Sequence, residues 1–235
     1  MPDNSPSKAN ASASPNLARR AHLTVLTITQ LIMAAELLLL LRAERWMHAF
    51  LVVAVMAATV VPFLAPKRLG VVIPAELQIL AILFIFATLF LGEVRAYYER
   101  LWWWDLALHA TAGLLLGLVG FLIVYILNEN DLVDLQMRPS FVALFAFFFS
   151  VGIGTLWEIF EFAMDQIFGL TMQKPMLGDL SGLTDTMWDL IVDALGATVM
   201  SVTGWRYMKG IRNGRVDTWV SRFIARNPQL FGRKG

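Results

Sequence analysis

The chain has 235 residues, 57% of them hydrophobic and 16% charged, whereas soluble domains average roughly 45–50% and 25%, so its composition points to a membrane. Its 19 Lys and Arg against 18 Asp and Glu leave a net charge of +1, which gives no ground for a nucleic-acid partner or an acidic tail. Cysteine is absent, which removes disulfides, thiol nucleophiles, thiolate metal sites and covalently attached c-type haem.

Residues 1–20 are small, polar and Pro-containing, and are expected to be disordered because they cannot bury enough surface to offset ordering. A membrane domain is expected over 21–205. About 20 apolar residues rising roughly 1.5 Å each cross a hydrocarbon core, and six stretches qualify: Leu23–Leu41, Met47–Ala65, Ile73–Leu91, Asp105–Leu127, Phe141–Phe162 and Thr186–Trp205. The first is a retained helix rather than a cleaved signal, because it is too long, carries Glu36 and lacks a small-residue cleavage site. Short connections predict an all-α bundle. Gly113, Gly117, Gly120, Gly152 and Gly154 either allow close helix approach or reflect the ordinary tolerance of Gly in membrane helices. Residues 206–235 form a basic tail. In it Val216, Trp219, Val220, Phe223 and Ile224 follow i, i+3, i+4, i+7, i+8 among arginines, the pattern of an amphipathic helix lying on anionic lipid.

Positive charge is retained on the cytoplasmic side of membrane proteins. With six spans, one side receives fourteen of the nineteen Lys and Arg, including both termini. Both termini are therefore expected in the cytoplasm, and the spans in contact with membrane lipids.

An ionisable side chain inside a span is costly, at least about 2.5 kcal/mol at a helix centre, and marks a functional candidate. Under this topology Glu36, Glu93, Asp105, Glu158, Glu161, Asp165, Asp185, Asp189 and Asp193 all fall in the outer leaflet, together with His109. Residues three or four apart share a helix face, so Asp105 with His109, Glu158 with Glu161 and Asp165, and Asp185 with Asp189 and Asp193 each form one stripe. Such a cluster is short of positive charge, and protonation, water or bound cations must supply the balance. Asp105, His109, Glu158, Asp185 and Asp189 are the metal-ligand candidates. Carboxylates with one imidazole suit Mg²⁺, Mn²⁺, Ca²⁺ or Zn²⁺, so a divalent cation is the cofactor this set would take. The alternative is a hydrogen-bonded structural network, with Asp185 capping the last span and Asp165 exposed in a loop. Trp102, Trp103 and Trp104 fit an interfacial aromatic belt. No Gly-rich phosphate loop, nucleophile elbow or HExxH motif occurs.

The segments WWWDLALHATAGLLLG, LWEIFEFAMDQIFG and GDLSGLTDTMWDLIVDALGA resemble the YjdF-like bacterial inner-membrane proteins. The shared elements fall on Asp105, His109 and Gly113, on Trp157 and Glu158, and on Gly178, Asp179, Asp185, Thr186, Asp189, Gly196 and Ala197. The Asp-His element alone also resembles VanZ-like proteins. The resemblance implies the membrane architecture and a location in the bacterial inner membrane, and brings no established activity. At the residue level the outer cluster is expected to bind or transport a cation, proton or lipid head group. The alternative is a metal-dependent intramembrane enzyme acting on a lipid or isoprenoid.

Overall fold

A computed structural model describes residues 15–69, 73–128, 137–210 and 215–231. Among them are the helices α1 (Pro15–Arg42), α2 (Trp46–Leu69), α3 (Ala75–Ile85), α4 (Tyr97–Arg100), α5 (Trp104–Asn128), α6 (Pro139–Phe168), α7 (Leu183–Met208) and α8 (Arg215–Arg226), and no named strand. The protein is thus an all-α membrane protein. Arg20–Arg42, Ala75–Val94, Trp104–Asn128 and Pro139–Phe168 are long and apolar enough to cross a bilayer, and Trp46–Val61 is a shorter apolar helix. α7 is as long but carries Asp185, Asp189 and Asp193 in its first turns. Helix α1 begins at Pro15, inside the segment expected to be disordered; residues 1–14 of that segment lie outside the described residues.

The chain divides into two compact units, residues 1–90 and 91–235. In the first, α1, α2 and α3 pack together, and Gln30 Nε2 donates to the Met56 carbonyl (3.0 Å) and Thr59 Oγ1 (2.9 Å). Glu36 belongs to this unit and is half-buried on α1. The helix after α3 continues as a π-helical segment, Phe86–Val94.

In the second unit α5, α6 and α7 form a three-helix core. Its register follows from the contacts: Gly113 meets Asp193, Gly117 meets Met200 and Gly204 meets Phe121, so α5 and α7 run parallel. Ser150 Oγ donates to the Gly113 carbonyl (2.8 Å) and Ser201 Oγ to the Ala143 carbonyl, which places α6 antiparallel to both. The unit is built inside out relative to a soluble protein. Leu114, Val119, Phe148, Ile159, Leu195 and Val199 are exposed, while Ser150, His109, Asp189 and Ser201 are buried. Lipid is as apolar as these outer side chains, so close packing and interhelical hydrogen bonds hold the helices together instead.

The basic tail contains helix α8. Val220 is 2% exposed and Phe223 6%, and Tyr207 Oη lies 3.3 Å from Ser221 Oγ. Protein buries these two positions of its apolar face. The side chains of Arg215 and Val216 lie outside the described set.

Candidate metal centre in the three-helix unit

The α5 segment contributes Asp105 and His109, one turn apart. His109 Nε2 lies 3.7 Å from Asp105 Oδ1 and 3.7 Å from Glu158 Oε1 on α6, and its Nδ1 lies 3.3 Å from Asp193 Oδ2 on α7. Asp105, His109 and Asp189 can each offer one ligand atom within 4.8 Å of the others. Asp189 is 0% exposed, and among the described residues neither of its oxygens has a hydrogen-bond partner. Buried polar groups are ordinarily paired, so two orphan oxygens on one carboxylate are a specific departure from the rule.

Small residues create this proximity. A Cβ at Gly113 would overlap the Asp193 carbonyl, and one at Gly196 would overlap the Ala110 carbonyl. Both neighbours are backbone and cannot move aside, so α5 and α7 reach this separation only with glycine at these positions. Similarly, a Cβ at Gly154 would overlap Asp193 Oδ2.

The other acidic candidates fall into distinct surroundings. Glu161 is buried and accepts a hydrogen bond from Trp157 Nε1 (2.8 Å). Asp165 lies in the last turn of α6 rather than in a loop; its two oxygens accept the backbone N–H groups of Met172 (2.7 Å) and Gln173 (3.0 Å). Asp185 lies inside the first turn of α7, beyond the N-cap Gly182, so it does not cap that helix. Its Oδ2 instead accepts the Lys174 N–H (2.6 Å). Both carboxylates therefore fasten the segment between α6 and α7. Glu93, at the end of the π-helical segment, is exposed.

Geometry accounts for the glycines and Asp179 of the connecting segment. Gly169 ends α6 with φ +64°, the left-handed conformation that glycine adopts without strain. Gly182 has φ +79°, and a Cβ there would come within 2.6 Å of Gln173 Cβ. Asp179 accepts hydrogen bonds from Ser181 N (2.8 Å), Thr184 N (2.9 Å) and Thr184 Oγ1 (2.8 Å). The bonds from Ser181, followed by those from Thr184, hold its carboxyl well below the usual carboxylate range.

Tyr98 on α4 was not singled out by sequence pattern. Its ring fills the notch left by Gly92, and Lys174 Nζ lies 5.8 Å from the ring centroid. Burial, followed by the charges of Asp105, Glu93, Glu161 and Asp189, pushes its phenol far above the ordinary value. The hydroxyl therefore stays protonated beside the carboxylates. Only the third dimension brings it there, since α4 is a short turn with no apolar periodicity of its own.

These features define a multi-pass, all-α membrane protein with a buried carboxylate–histidine cluster. Residues 24–210 match the predicted membrane protein family DUF2238, and the chain belongs to that family. An uncharacterized protein of Thermotoga maritima is 30% identical over 149 residues, covering 63% of this chain and 72% of the relative. No solved structure matches.

Proposed function

We propose that this is a bacterial inner-membrane protein, with six spans and both termini cytoplasmic, that binds a divalent cation between α5, α6 and α7 and serves in cation binding or transport. The observation that carries the reading is Asp189: a fully buried carboxylate with both oxygens unpartnered, held near Asp105 and His109 donor atoms. Glu158, 3.7 Å from the same imidazole nitrogen, supplies a fourth donor. With bonds of about 2.1 Å, ligands lie about 3.4 Å apart around a tetrahedral ion and about 4.2 Å apart where trans in an octahedral one. The 4.8 Å cluster therefore closes onto an ion with small side-chain rotations. Bound positive charge also offsets the cost of burying several carboxylates together.

The test is equilibrium dialysis of the purified, chelator-treated protein against Zn²⁺, Mn²⁺, Mg²⁺ and Ca²⁺. The expected result is one ion per chain, lost in Asp189→Ala and His109→Ala. A parent protein that binds none of the four removes the proposal.

A second reading, a metal-dependent enzyme acting on a lipid or isoprenoid, draws on Tyr98 and Lys174. Their side chains lie together, with Lys174 Nζ 5.8 Å from the Tyr98 ring centroid, and supply a phenol and an ammonium of the kind a phosphoryl or acyl group would use. Its test is the lipid composition of cells carrying Asp189→Ala: accumulation of one lipid class supports it, and an unchanged composition contradicts it.

A further inference from the structure

The two ring nitrogens of His109 face different partners. We infer that Asp193 is the positioning residue of the centre, not a ligand, and that the resulting site selects a first-row transition ion such as Mn²⁺, Fe²⁺ or Zn²⁺ over Mg²⁺ and Ca²⁺. The inference rests on the proposal that the cluster binds a cation.

Asp193 Oδ2 lies 3.3 Å from His109 Nδ1, and a carboxylate accepts, so Nδ1 carries the hydrogen. With an ion bound there, Nε2 carries no hydrogen and lends its lone pair; this is the nitrogen that faces Asp105 and Glu158 at 3.7 Å. A ligating histidine characteristically donates its other N–H to a carboxylate, which fixes the ring and raises its basicity. Asp193 is well placed for that role because it is 2% exposed and its Oδ2 occupies the space that Gly154 leaves free.

Ca²⁺ takes six to eight oxygens and Mg²⁺ keeps several waters around a few carboxylates, whereas imidazole suits the later divalent metals. Asp105, Glu158 and Asp189 with an oriented imidazole make a compact three-oxygen, one-nitrogen set. Asp165 does not enlarge it, because backbone N–H groups occupy both of its oxygens, and Asp185 gives one of its two to the Lys174 N–H.

The experiment uses the full chain in detergent. The parent is loaded with Mn²⁺ or Zn²⁺ and challenged with a hundredfold excess of Mg²⁺ or Ca²⁺. Retention of the transition ion is expected, and displacement would overturn the selectivity while leaving a cation site in place. If no divalent ion binds at all, the cation-binding proposal itself fails. Asp193→Asn keeps the side-chain shape and an accepting oxygen, and is expected to weaken Mn²⁺ or Zn²⁺ binding about 10- to 100-fold with the helical content unchanged. Unaltered affinity in a folded variant would contradict the positioning role. The ring ¹⁵N shifts of the Zn²⁺-loaded parent, assigned with His109→Gln, give a reading independent of that variant's folding. An Nδ1–H tautomer is expected for His109, and an Nε2–H tautomer overturns the inference.

Discussion

Gly154 and Asp193 occupy each other's space: a Cβ on the glycine would overlap the Asp193 oxygen that faces His109 Nδ1. The absence of a side chain on α6 is thus a condition for the hydrogen bond between α5 and α7. Gly152, two residues earlier, has nothing within 4 Å of where its Cβ would stand.

The pair gives a matched comparison. Gly154→Ala is expected to cost about 1–3 kcal/mol through overpacking and to weaken cation binding, because Asp193 must turn away from the imidazole. Gly152→Ala is expected to leave both within error. Thermal unfolding in detergent, with and without Mn²⁺, checks the two variants side by side.

The backbone contacts of Gly113 and Gly196 predict a different response. Gly196→Ala meets the Ala110 carbonyl and is expected to separate α5 from α7, lowering stability by at least as much as Gly154→Ala. Ser150→Ala removes only the bond to the Gly113 carbonyl, and about 0.6 kcal/mol is expected from comparable interhelical bonds in membranes. Unfolding in mixed detergent micelles ranks the two.

Much of this arrangement is legible in the sequence, and the remainder is withheld for physical reasons. Apolar runs mark the helices, since a helix exposed to lipid must be apolar along its length. The i, i+4, i+8 spacing puts Asp185, Asp189 and Asp193 on one face. It does not distinguish an orphan carboxylate from an imidazole's partner, because that depends on which turn of α5 lies opposite. Asp165 and Glu161 belong to the same α6 stripe, yet one fastens backbone N–H groups and the other meets Trp157. Gly152 and Gly154 are equivalent by composition and differ only through the neighbouring helix. Tyr98 reaches the carboxylates by way of a turn at Ala96, whose φ of 55° no periodicity announces.

Asp165 offers a test of the connecting segment apart from the metal centre. Asp165→Ala frees the Met172 and Gln173 N–H groups and is expected to cost about 1–3 kcal/mol. Faster proteolysis between α6 and α7 should accompany it, with cation affinity changed less than threefold. Limited proteolysis and dialysis on the same preparation separate the effects.

Asp179 sets a pH dependence with a defined sign. Its carboxyl titrates lower in the folded protein than its ordinary value of about 3.9, so its contribution is fully present above that value. The contribution is lost as pH falls through the lower folded value. Asp179→Asn is therefore expected to lower the melting temperature at pH 6, and the gap between variant and parent should shrink as the pH is taken below 3. A gap that widens on acidification contradicts the assignment of these hydrogen bonds to the ionised form.

The central claim is that His109 Nε2 and neighbouring carboxylates hold a metal ion inside the bundle. Pulsed electron paramagnetic resonance of the Mn²⁺-loaded protein with ¹⁵N-labelled histidine tests it most directly. The account predicts modulation from one directly coordinated imidazole nitrogen, abolished in His109→Gln. Mn²⁺ bound without any nitrogen coupling, or with coupling that survives His109→Gln, would contradict it.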